Sequence, residues 1–463
     1  MNQNWLMQAI DDFLAAFATF AWGPWLLVLL LGGGSFFFLY SRFLPFRYFF
    51  HAFDILRGKY DNPTDQGDIS HFRALSSALA GTIGLGNIGG VAVAIHVGGP
   101  GAIFWMWLAA FLGIATKFFT CTLAVLYRGP DSQGHIQGGP MYTIVNGLGR
   151  KWRPLAVMFS ICTLFGALPV FQINQIVQSL REVILIPNGW LADPASQFRF
   201  NLTCGIILAA VVWMVVVGGI QRIAIVASRL VPSMVVIYGG MALWILLTNF
   251  TEIPGLFALI VRDAFTGDSV MGGAVGSVIM TGIRRSAFSN EAGIGTEALA
   301  HGAARTNEPV REGLVAMLGP VIDTLIVCTA TALIILSTDL WRGSEINGTA
   351  LTAQAIQQHL PGVGPYLLVV CVFFFGTSTV LTYNYYGTKA LGFLVGAEYQ
   401  RFYNFLYVPS ILAAAVVSID AAVNLIDSMY ALMAIPTTTS ALILAPKVMA
   451  AARNYFRRIE TST

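Results

Sequence analysis

Eleven apolar stretches long enough to cross a bilayer recur along this 463-residue chain, and they constrain its fold more than any other feature. A transmembrane helix needs about 20 predominantly apolar residues to cross roughly 30 Å of hydrocarbon. The stretches are 21–43, 71–97, 99–127, 153–180, 200–217, 220–247, 271–303, 309–337, 364–388, 402–418 and 421–446. We therefore predict an all-α polytopic membrane protein with about eleven transmembrane helices.

Three shorter segments are predicted to be helical without spanning the membrane. Residues 253–265 and 350–360 are expected to form helices in loops. Residues 4–20 have the pattern of an amphipathic helix lying on the membrane surface. Asp11 and Asp12 stand where a signal peptide would carry basic residues, so we expect none.

The composition agrees with a membrane protein. Charged residues make up 11% of the chain and hydrophobic residues 56%, and the mean hydropathy is +0.70. Soluble domains carry about 25% charged residues, so this chain would expose too apolar a surface in water. The net charge of +3 does not suggest a nucleic-acid partner. The five cysteines lie in apolar runs without CxxC spacing, so neither disulfides nor a cysteine metal site is expected.

The distribution of Lys and Arg orients the predicted helices. With the N-terminus outside, 19 of the 26 basic residues fall on the cytoplasmic side, including the tail from Lys447 to Arg458. Four fall outside, and the opposite orientation would invert this ratio. We therefore expect a multi-pass protein of the cell inner membrane, with its N-terminus outside and its C-terminus cytoplasmic.

Two of the predicted helices contain segments that are unfavourable in a helix. The second carries five glycines between Gly81 and Gly90, and the seventh carries Gly293 and Gly295 directly after a polar segment. Each glycine costs about 1 kcal/mol of helix propensity relative to alanine. Unwound backbone at mid-membrane depth is tolerated only where it lines a cavity or is buried in protein.

The two breaks lie five helices apart, so the second group of five must run through the membrane in the opposite sense to the first. Paired breaks in inverted halves indicate a transporter binding site, because broken half-helices present amide groups to anions and carbonyls to cations. Close helix packing also enriches glycine and could explain either break alone. The polar residues within the breaks favour a site, and they are Asn87, Ser289, Asn290 and Glu291.

The segment from Gly84 to Gly89 matches G-x-G-x-x-G, but it does not indicate a nucleotide site. That motif requires a preceding strand and an acidic residue about 20 positions on, whereas this segment lies in an apolar helix and the next acidic residue is Asp131. No Walker loop, HExxH or GxSxG occurs, so we expect neither a nucleotide partner nor an enzyme. A membrane-embedded receptor or an enzyme without a recognisable catalytic motif is the alternative from another class.

Five motifs in order resemble the alanine or glycine:cation symporter family, the sodium:alanine symporters. They are GNIGGVAVAI (86–95), GGPGAIFWMW (98–107), GGPMYTI (138–144), FSNEAGIG (288–295) and IDTLIVCTAT (322–331). The resemblance implies a leucine-transporter (LeuT) fold with a 5+5 inverted repeat, preceded by one extra helix. It implies repeats at 71–250 and 251–446, an N-terminal segment at 1–70 and a basic cytoplasmic tail at 447–463. The implied activity is import of a small neutral amino acid, alanine or glycine, with Na⁺, and the alternative is coupling to protons.

The resemblance also implies a sodium site between the first break and the ninth apolar stretch. Its ligands would be the carbonyls of Ala80, Ile83 and Phe375 and the side chains of Ser378 and Thr379. Na⁺ prefers such hard oxygen ligands. The alternative is that both hydroxyls bond to carbonyls of the preceding turn. Na⁺ is the coupling ion, and no other cofactor is expected.

For the substrate, the resemblance implies a carboxylate near the amides of Gly84 and Gly86 and an ammonium group near backbone carbonyls of the two breaks. Gln172 and Asn174 lie about 200° apart on a helix, so both cannot face one pocket, and Gln172 is favoured. The complete set of predicted substrate-binding residues is Thr82, Gly84, Gly86, Asn87, Phe171, Gln172, Phe288, Ser289, Asn290 and Gly293.

Charged residues at membrane depth carry one further prediction. Arg285, Glu291 and Asp323 are expected to be partners for one another, in a structural network rather than a proton relay. Lys117 and Asp427 are expected near helix ends, where their charges can reach the interface.

Overall fold

The computed structural model describes residues 4–190, 193–266, 275–342, 346–416 and 420–462. Within these ranges the chain is almost entirely helical, with one short antiparallel ribbon of Gly129–Pro130 and Ile136–Gln137. The helices that precede the first break are Asn4–Ala21, Pro24–Tyr40, Leu44–Arg47 and Phe49–Leu56.

The first half of the core contains the first broken helix. Its helices are His71–Thr82, the π-helical turn Gly86–Gly90, Val91–Gly98, Gly101–Leu126, Pro140–Thr143, the π-helical turn Ile144–Leu148, the 3₁₀ turn Arg150–Trp152, Arg153–Gly166, Val170–Leu180, the π-helical turn Arg181–Leu185, Pro194–Val216 and Gly219–Thr248.

The second half contains the second broken helix. Its helices are Ile253–Asp263, Val275–Asn290, Glu297–His301, Pro309–Ala316, Leu318–Pro320, the π-helix Val321–Cys328, Thr329–Leu336, Gly348–His359, Gly364–Val395, the 3₁₀ turn Ala397–Phe402, Tyr403–Val416 and Asp420–Ser462.

In the described ranges, eight helices are long and apolar enough to cross a membrane, and a ninth is added if the bent pair His71–Thr82 and Gly86–Gly98 forms one span. All eleven predicted stretches coincide with helices. The seventh falls short of a continuous span because its helix stops at Asn290, and the tenth because Tyr403–Val416 has only 14 residues. Residues 271–274 and 417–418 of those two predictions lie outside the described residues.

Both ends of the chain differ from the predicted boundaries. The first apolar span runs over Asp11–Tyr40, so the helix predicted on the membrane surface leads directly into it. The last helix continues through Pro446 to Ser462, so most of the predicted basic tail is helical. The N-terminal helix packs against this last helix, and Trp22 Nε1 donates to the Asp427 carbonyl at 3.0 Å.

The two broken helices lie side by side inside the bundle. Helices Gly219–Thr248 and Gly364–Val395 pack against His71–Thr82, and Gly101–Leu126 packs along Val275–Asn290. A Cβ placed on Gly86 would lie 3.6 Å from Phe288 Cδ1, so the breaks touch there. This contact positions the candidate site.

Candidate functional site

A cavity of about 830 Å³ extends to the point where the two breaks meet. Exposed residues, including Glu182 and Asn347, line its outer part. The residues that line its inner part are Gly86, Phe171, Gln172, Phe288, Tyr383 and Tyr430. The cavity therefore connects the protein surface with the unwound segments that the glycine pattern predicts.

The first break is opened by the side chain of Asn87. The chain leaves the helix at Ile83, whose ψ of 93° is extended, and the two halves are bent by 53°. The Gly84 amide donates to Asn87 Oδ1 at 2.9 Å, so it turns away from the Ala80 carbonyl that it would meet in a continuous helix. Gly84 must lack a side chain here, because a Cβ would lie 2.9 Å from Thr379 Oγ1.

The second break is held by the carboxylate of Glu291. Its backbone has φ = +57°, which is unusual for a residue with a side chain. Glu291 Oε1 accepts hydrogen bonds from Tyr430 at 2.5 Å and Tyr383 at 3.1 Å, and Oε2 accepts from Thr296. Glu291 is fully buried, so these three hydroxyls compensate its loss of hydration. They also tie the break to the tyrosines of the cavity wall.

Asp323 joins the two breaks to each other. It lies in the π-helix Val321–Cys328 and is fully buried. Its Oδ1 accepts from Asn87 Nδ2 at 2.6 Å, and its Oδ2 accepts from Ser289 Oγ at 2.8 Å and from Thr324 Oγ1 at 2.7 Å. One carboxylate thus bonds to a side chain from each broken helix.

The structure contradicts the expectation that Arg285, Glu291 and Asp323 are partners for one another. The two carboxylates bind separate sets of hydroxyl and amide donors, as described above. Arg285 instead lines the cavity. Its neighbour Arg284 forms the ion pair at this point, with Asp427 at 2.9 Å. Hydroxyl donors satisfy a buried carboxylate without bringing a second charge into the membrane, which removes the need for an arginine.

The prediction for Lys117 is also wrong. This residue lies well inside helix Gly101–Leu126 and is 1% exposed, so its charge does not reach the interface. Asp427, in contrast, is partly exposed and lines the cavity.

Of the residues predicted for sodium, Thr379 lies directly beside the first break. Ser378 Oγ and Thr379 Oγ1 both donate to the Phe375 carbonyl, at 2.9 and 3.0 Å. These are the bonds to the preceding turn that the alternative interpretation predicts. Thr379 Oγ1 also lies 3.5 Å from the Gly81 carbonyl, which places it against the first broken helix. Ala80 and Ile83 are fully buried. A hydroxyl oxygen that donates its hydrogen keeps lone pairs for a cation.

The predicted substrate-binding residues fall into two groups. Gly86, Phe171, Gln172 and Phe288 line the cavity, and Gln172 Oε1 is buried without a hydrogen-bond partner in the described part of the chain. The other six do not line it, and they are Thr82, Gly84, Asn87, Ser289, Asn290 and Gly293.

Within the second group, some residues lie behind the cavity wall and others face away from it. Asn87 and Ser289 are bound to Asp323. Asn290 Nδ2 donates to Ser286 and Thr324, both at 3.0 Å. A Cβ on Gly293 would lie 2.7 Å from Leu30, in the extra first span. Asn290 and Gly293 thus serve packing on the side opposite the cavity.

Sequence reasoning missed several residues of this region. Tyr383 and Tyr430 are among them, and their signal is that a tyrosine buried in a membrane needs a partner for its hydroxyl. A second group missed is His71, His301 and Glu312. Glu312 accepts from His301 Nδ1 at 2.5 Å and from His71 Nδ1, and all three side chains are buried. The sequence signal for this group is a histidine at the end of each of two helices, His71 and His301.

Comparison with known proteins places this geometry in a family. The model of the sodium:alanine symporter family matches residues 7–463. "Sodium/alanine symporter AgcS" of Methanococcus maripaludis is 38% identical over 95% of this chain and 96% of its own length. An "Uncharacterized transporter" of Haemophilus influenzae is 37% identical over 97% of each chain. The "Probable sodium/glutamine symporter GlnT" of Bacillus subtilis is 34% identical over 98% of this chain and 92% of its own.

A solved structure supports the fold. MhsT in complex with L-phenylalanine, a LeuT-fold protein, aligns with a TM-score of 0.50 and 14% identity, covering 84% of this chain and 99% of that one. The predicted fold class, an all-α polytopic membrane protein of LeuT type, is confirmed. From its sequence relationships, the chain belongs to the sodium:alanine symporter family.

Proposed function

We propose that this protein is a sodium-coupled symporter that imports alanine or glycine by alternating access. The observation that carries the proposal is the meeting of two unwound helices at the inner end of a cavity open to the surface, with Thr379 directly behind the first of them. Broken helices at such a point provide unpaired backbone groups for both a zwitterion and a cation.

The substrate would bind between the breaks and the helix that carries Gln172. The buried, unpartnered Gln172 Oε1 is an acceptor suited to the ammonium group, since an unpaired buried acceptor is costly until a donor arrives. The Gly84 amide is already bound to Asn87, so the carboxylate would lie nearer the Gly86 amide. Phe171 and Phe288 would enclose a short side chain.

The sodium ion would bind between the first break and helix Gly364–Val395. The Ala80 carbonyl has lost the Gly84 amide as its helical partner, and the hydroxyls of Ser378 and Thr379 lie on the facing helix. Carbonyl and hydroxyl oxygens are the ligands that replace the hydration shell of Na⁺. Because this group adjoins the substrate region through Gly84, binding of ion and substrate would be coupled.

Proton coupling through Glu291 or Asp323 is the second candidate. Both carboxylates are buried at the breaks, which is where a transported proton would act. Each already accepts three side-chain hydrogen bonds, and this satisfies an ionised carboxylate without a proton. Sodium coupling is therefore the better supported of the two.

The proposal is tested by uptake of labelled alanine into proteoliposomes that hold the purified protein. An inward Na⁺ gradient should drive accumulation, and protein-free liposomes and equal Na⁺ on both sides serve as controls. Accumulation driven by a proton gradient in the absence of Na⁺ would support the second candidate instead. No uptake under either gradient, with glycine also inactive, would reject both.

A further inference from the structure

A second pocket, of about 670 Å³, lies far from the breaks at the junction of the two ends of the chain. It is formed where the first span ends near Tyr40, by the short helix Leu44–Arg47, and by the last helix from Met449 to Glu460. The proposed transport mechanism makes no use of this pocket.

Four arginines line this pocket, and we call them the arginine cluster: Arg42, Arg47, Arg453 and Arg457. All four are exposed, and none forms an ion pair with a carboxylate in the described ranges. The neighbouring Arg458 differs, because it is paired with Glu308 at 2.8 Å. Glu460 is the acidic residue of the lining and interacts with the Tyr48 hydroxyl. The pocket therefore carries a net positive charge.

The walls of the pocket are apolar and firmly packed. Leu39, Leu44 and Met449 contribute aliphatic surface. The rings of Tyr48 and Phe456 stack with centroids 3.6 Å apart, which fixes the segment after the first span against the last helix. The arginine cluster is thus held around one space rather than distributed along a flexible tail.

The surroundings place the pocket at the edge of the hydrocarbon. Leu39, in the pocket lining, is 65% exposed, and Phe50, close to it in the chain, is 82% exposed, so large apolar side chains face outward in this region. The first apolar span ends at Tyr40, two residues before Arg42. Apolar side chains facing lipid beside unpaired arginines are typical of the level where acyl chains meet head groups.

We propose that this pocket binds an anionic phospholipid, with its phosphate held by the arginine cluster and an acyl chain lying along Leu39, Leu44 and Met449. Guanidinium groups bind phosphate oxygens through paired N–H donors, and this geometry suits Arg better than Lys. Arg453 and Arg457 are four residues apart on one helical face, so both point at the same ligand. A lipid held there would bridge the first span and the last helix.

The experiment measures lipid binding to the full-length protein in detergent by native mass spectrometry, and its thermal stability with added lipid. Phosphatidylglycerol should bind and stabilise the protein more than phosphatidylcholine does. Changing the four arginines of the cluster to Gln should weaken phosphatidylglycerol binding at least tenfold. A single Arg453→Gln should weaken it about fivefold, since each basic residue near an anionic surface contributes about 1 kcal/mol.

A matched control removes the same charge elsewhere. Arg150, Lys151, Arg153 and Arg401 are exposed basic residues outside the pocket, and changing all four to Gln should leave phosphatidylglycerol binding nearly unchanged. Equal losses in both variants would show nonspecific attraction and overturn the proposal. Equal binding of the two lipids by the unmodified protein would also overturn it. Stabilisation by soluble glycerol phosphate alone, at concentrations matching the lipid, would show that the ligand is a free anion rather than a lipid.

Discussion

At the scale of single residues, Asp323 accepts hydrogen bonds from two side chains that are predicted from the sequence to bind the substrate. Asn87 and Ser289 are polar residues within the breaks. Both bond to Asp323, so their hydrogen bonds go to a third helix, Val321–Cys328, rather than into the cavity. Asp323 is 236 positions from Asn87 in the sequence, and no local pattern relates them.

Some site residues could be predicted because their signal is local. Gly86 and Phe288 belong to the breaks themselves, and Gln172 is a polar side chain in an apolar helix. Asn290 and Gly293 carry the same local signal, yet they face the opposite side, because the direction of a side chain after an unwound turn depends on the three-dimensional path of that turn. The sequence therefore predicts which residues lie within the breaks, but it does not predict which way their side chains face.

The ion site gives the first prediction at this scale. Changing Ser378 and Thr379 together to Ala removes two hydroxyl ligands, so the Na⁺ concentration that gives half-maximal alanine uptake should rise at least about tenfold, a loss of roughly 1.4 kcal/mol. Thr388→Ala on the same helix is the control, because its hydroxyl bonds only the Asn384 carbonyl of its own helix among the described contacts, at 2.7 Å. Unchanged Na⁺ dependence in a folded double variant would reject the assigned ligands.

The substrate site gives the second prediction, which concerns Gln172. Gln172→Leu keeps the approximate volume of the side chain and removes the buried acceptor. A hydrogen bond to a charged group contributes about 1.5–3 kcal/mol, so the KM for alanine should rise roughly 10- to 100-fold. Gln178 also lines the cavity but donates to Glu182 at 3.0 Å, and Gln178→Leu should leave KM within a factor of about three. Equal effects of both substitutions would place the ammonium group elsewhere.

At the scale of helices and their connections, the apolar pattern predicted where helices lie better than where they end. The apolar pattern predicts that the last span ends at residue 446, where the basic tail begins. The helix continues to Ser462 because its far half packs on the segment after the first span, through contacts such as His51 Nε2 with the Tyr455 hydroxyl at 2.8 Å. Such tertiary contacts are invisible to a local rule.

A third prediction concerns the group formed by His71, His301 and Glu312. His71 begins the first broken helix, His301 ends the short helix after the second break, and Glu312 lies in the following helix. Removing one partner of a buried charged group typically costs about 3–5 kcal/mol, so Glu312→Ala should lower the free energy of unfolding by that amount. Denaturation of the purified protein followed by circular dichroism measures it.

The matched control for this prediction is Glu308→Ala. Glu308 pairs with Arg458 at 2.8 Å in an exposed ion pair, and such pairs contribute at most about 1 kcal/mol. Similar losses of stability in the two variants would show that the buried group does not hold the two broken helices together.

At the scale of the whole molecule, the shape of the cavity predicts selectivity for size. The full cavity, at about 830 Å³, includes a wide outer part, but its inner end is bounded by Phe171 and Phe288. Each methylene that a pocket cannot accommodate costs about 1–3 kcal/mol, so leucine should compete with alanine uptake at least tenfold less well than glycine does.

Phe288→Ala tests this selectivity directly. The substitution removes bulk at the point where the breaks touch. The ratio of the inhibition constant of leucine to the KM for alanine should therefore fall at least tenfold. Phe373→Ala, an exposed aromatic outside the cavity lining, should leave the ratio unchanged. Leucine that is transported by the unmodified protein as efficiently as alanine would overturn the assignment of a small substrate.

The energetics of coupling give a prediction that involves the molecule as a whole, because it depends on both sites and on alternating access. One Na⁺ that enters through −100 mV gains about 2.3 kcal/mol. A tenfold Na⁺ gradient adds about 1.4 kcal/mol. With one Na⁺ per neutral substrate, the total of about 3.7 kcal/mol permits roughly 500-fold accumulation of alanine in proteoliposomes.

The zwitterion carries no net charge, so each cycle should move one positive charge inward. Collapsing the membrane potential with a K⁺ ionophore, while the Na⁺ gradient is kept, should therefore lower the accumulation limit from roughly 500-fold to about tenfold. Liposomes with the double variant of Ser378 and Thr379 should approach each limit more slowly at the same Na⁺ concentration, because its ion site lacks two hydroxyl ligands. An accumulation limit that does not respond to the potential would contradict one-to-one coupling, since an uncompensated charge cannot cross the membrane without sensing its field.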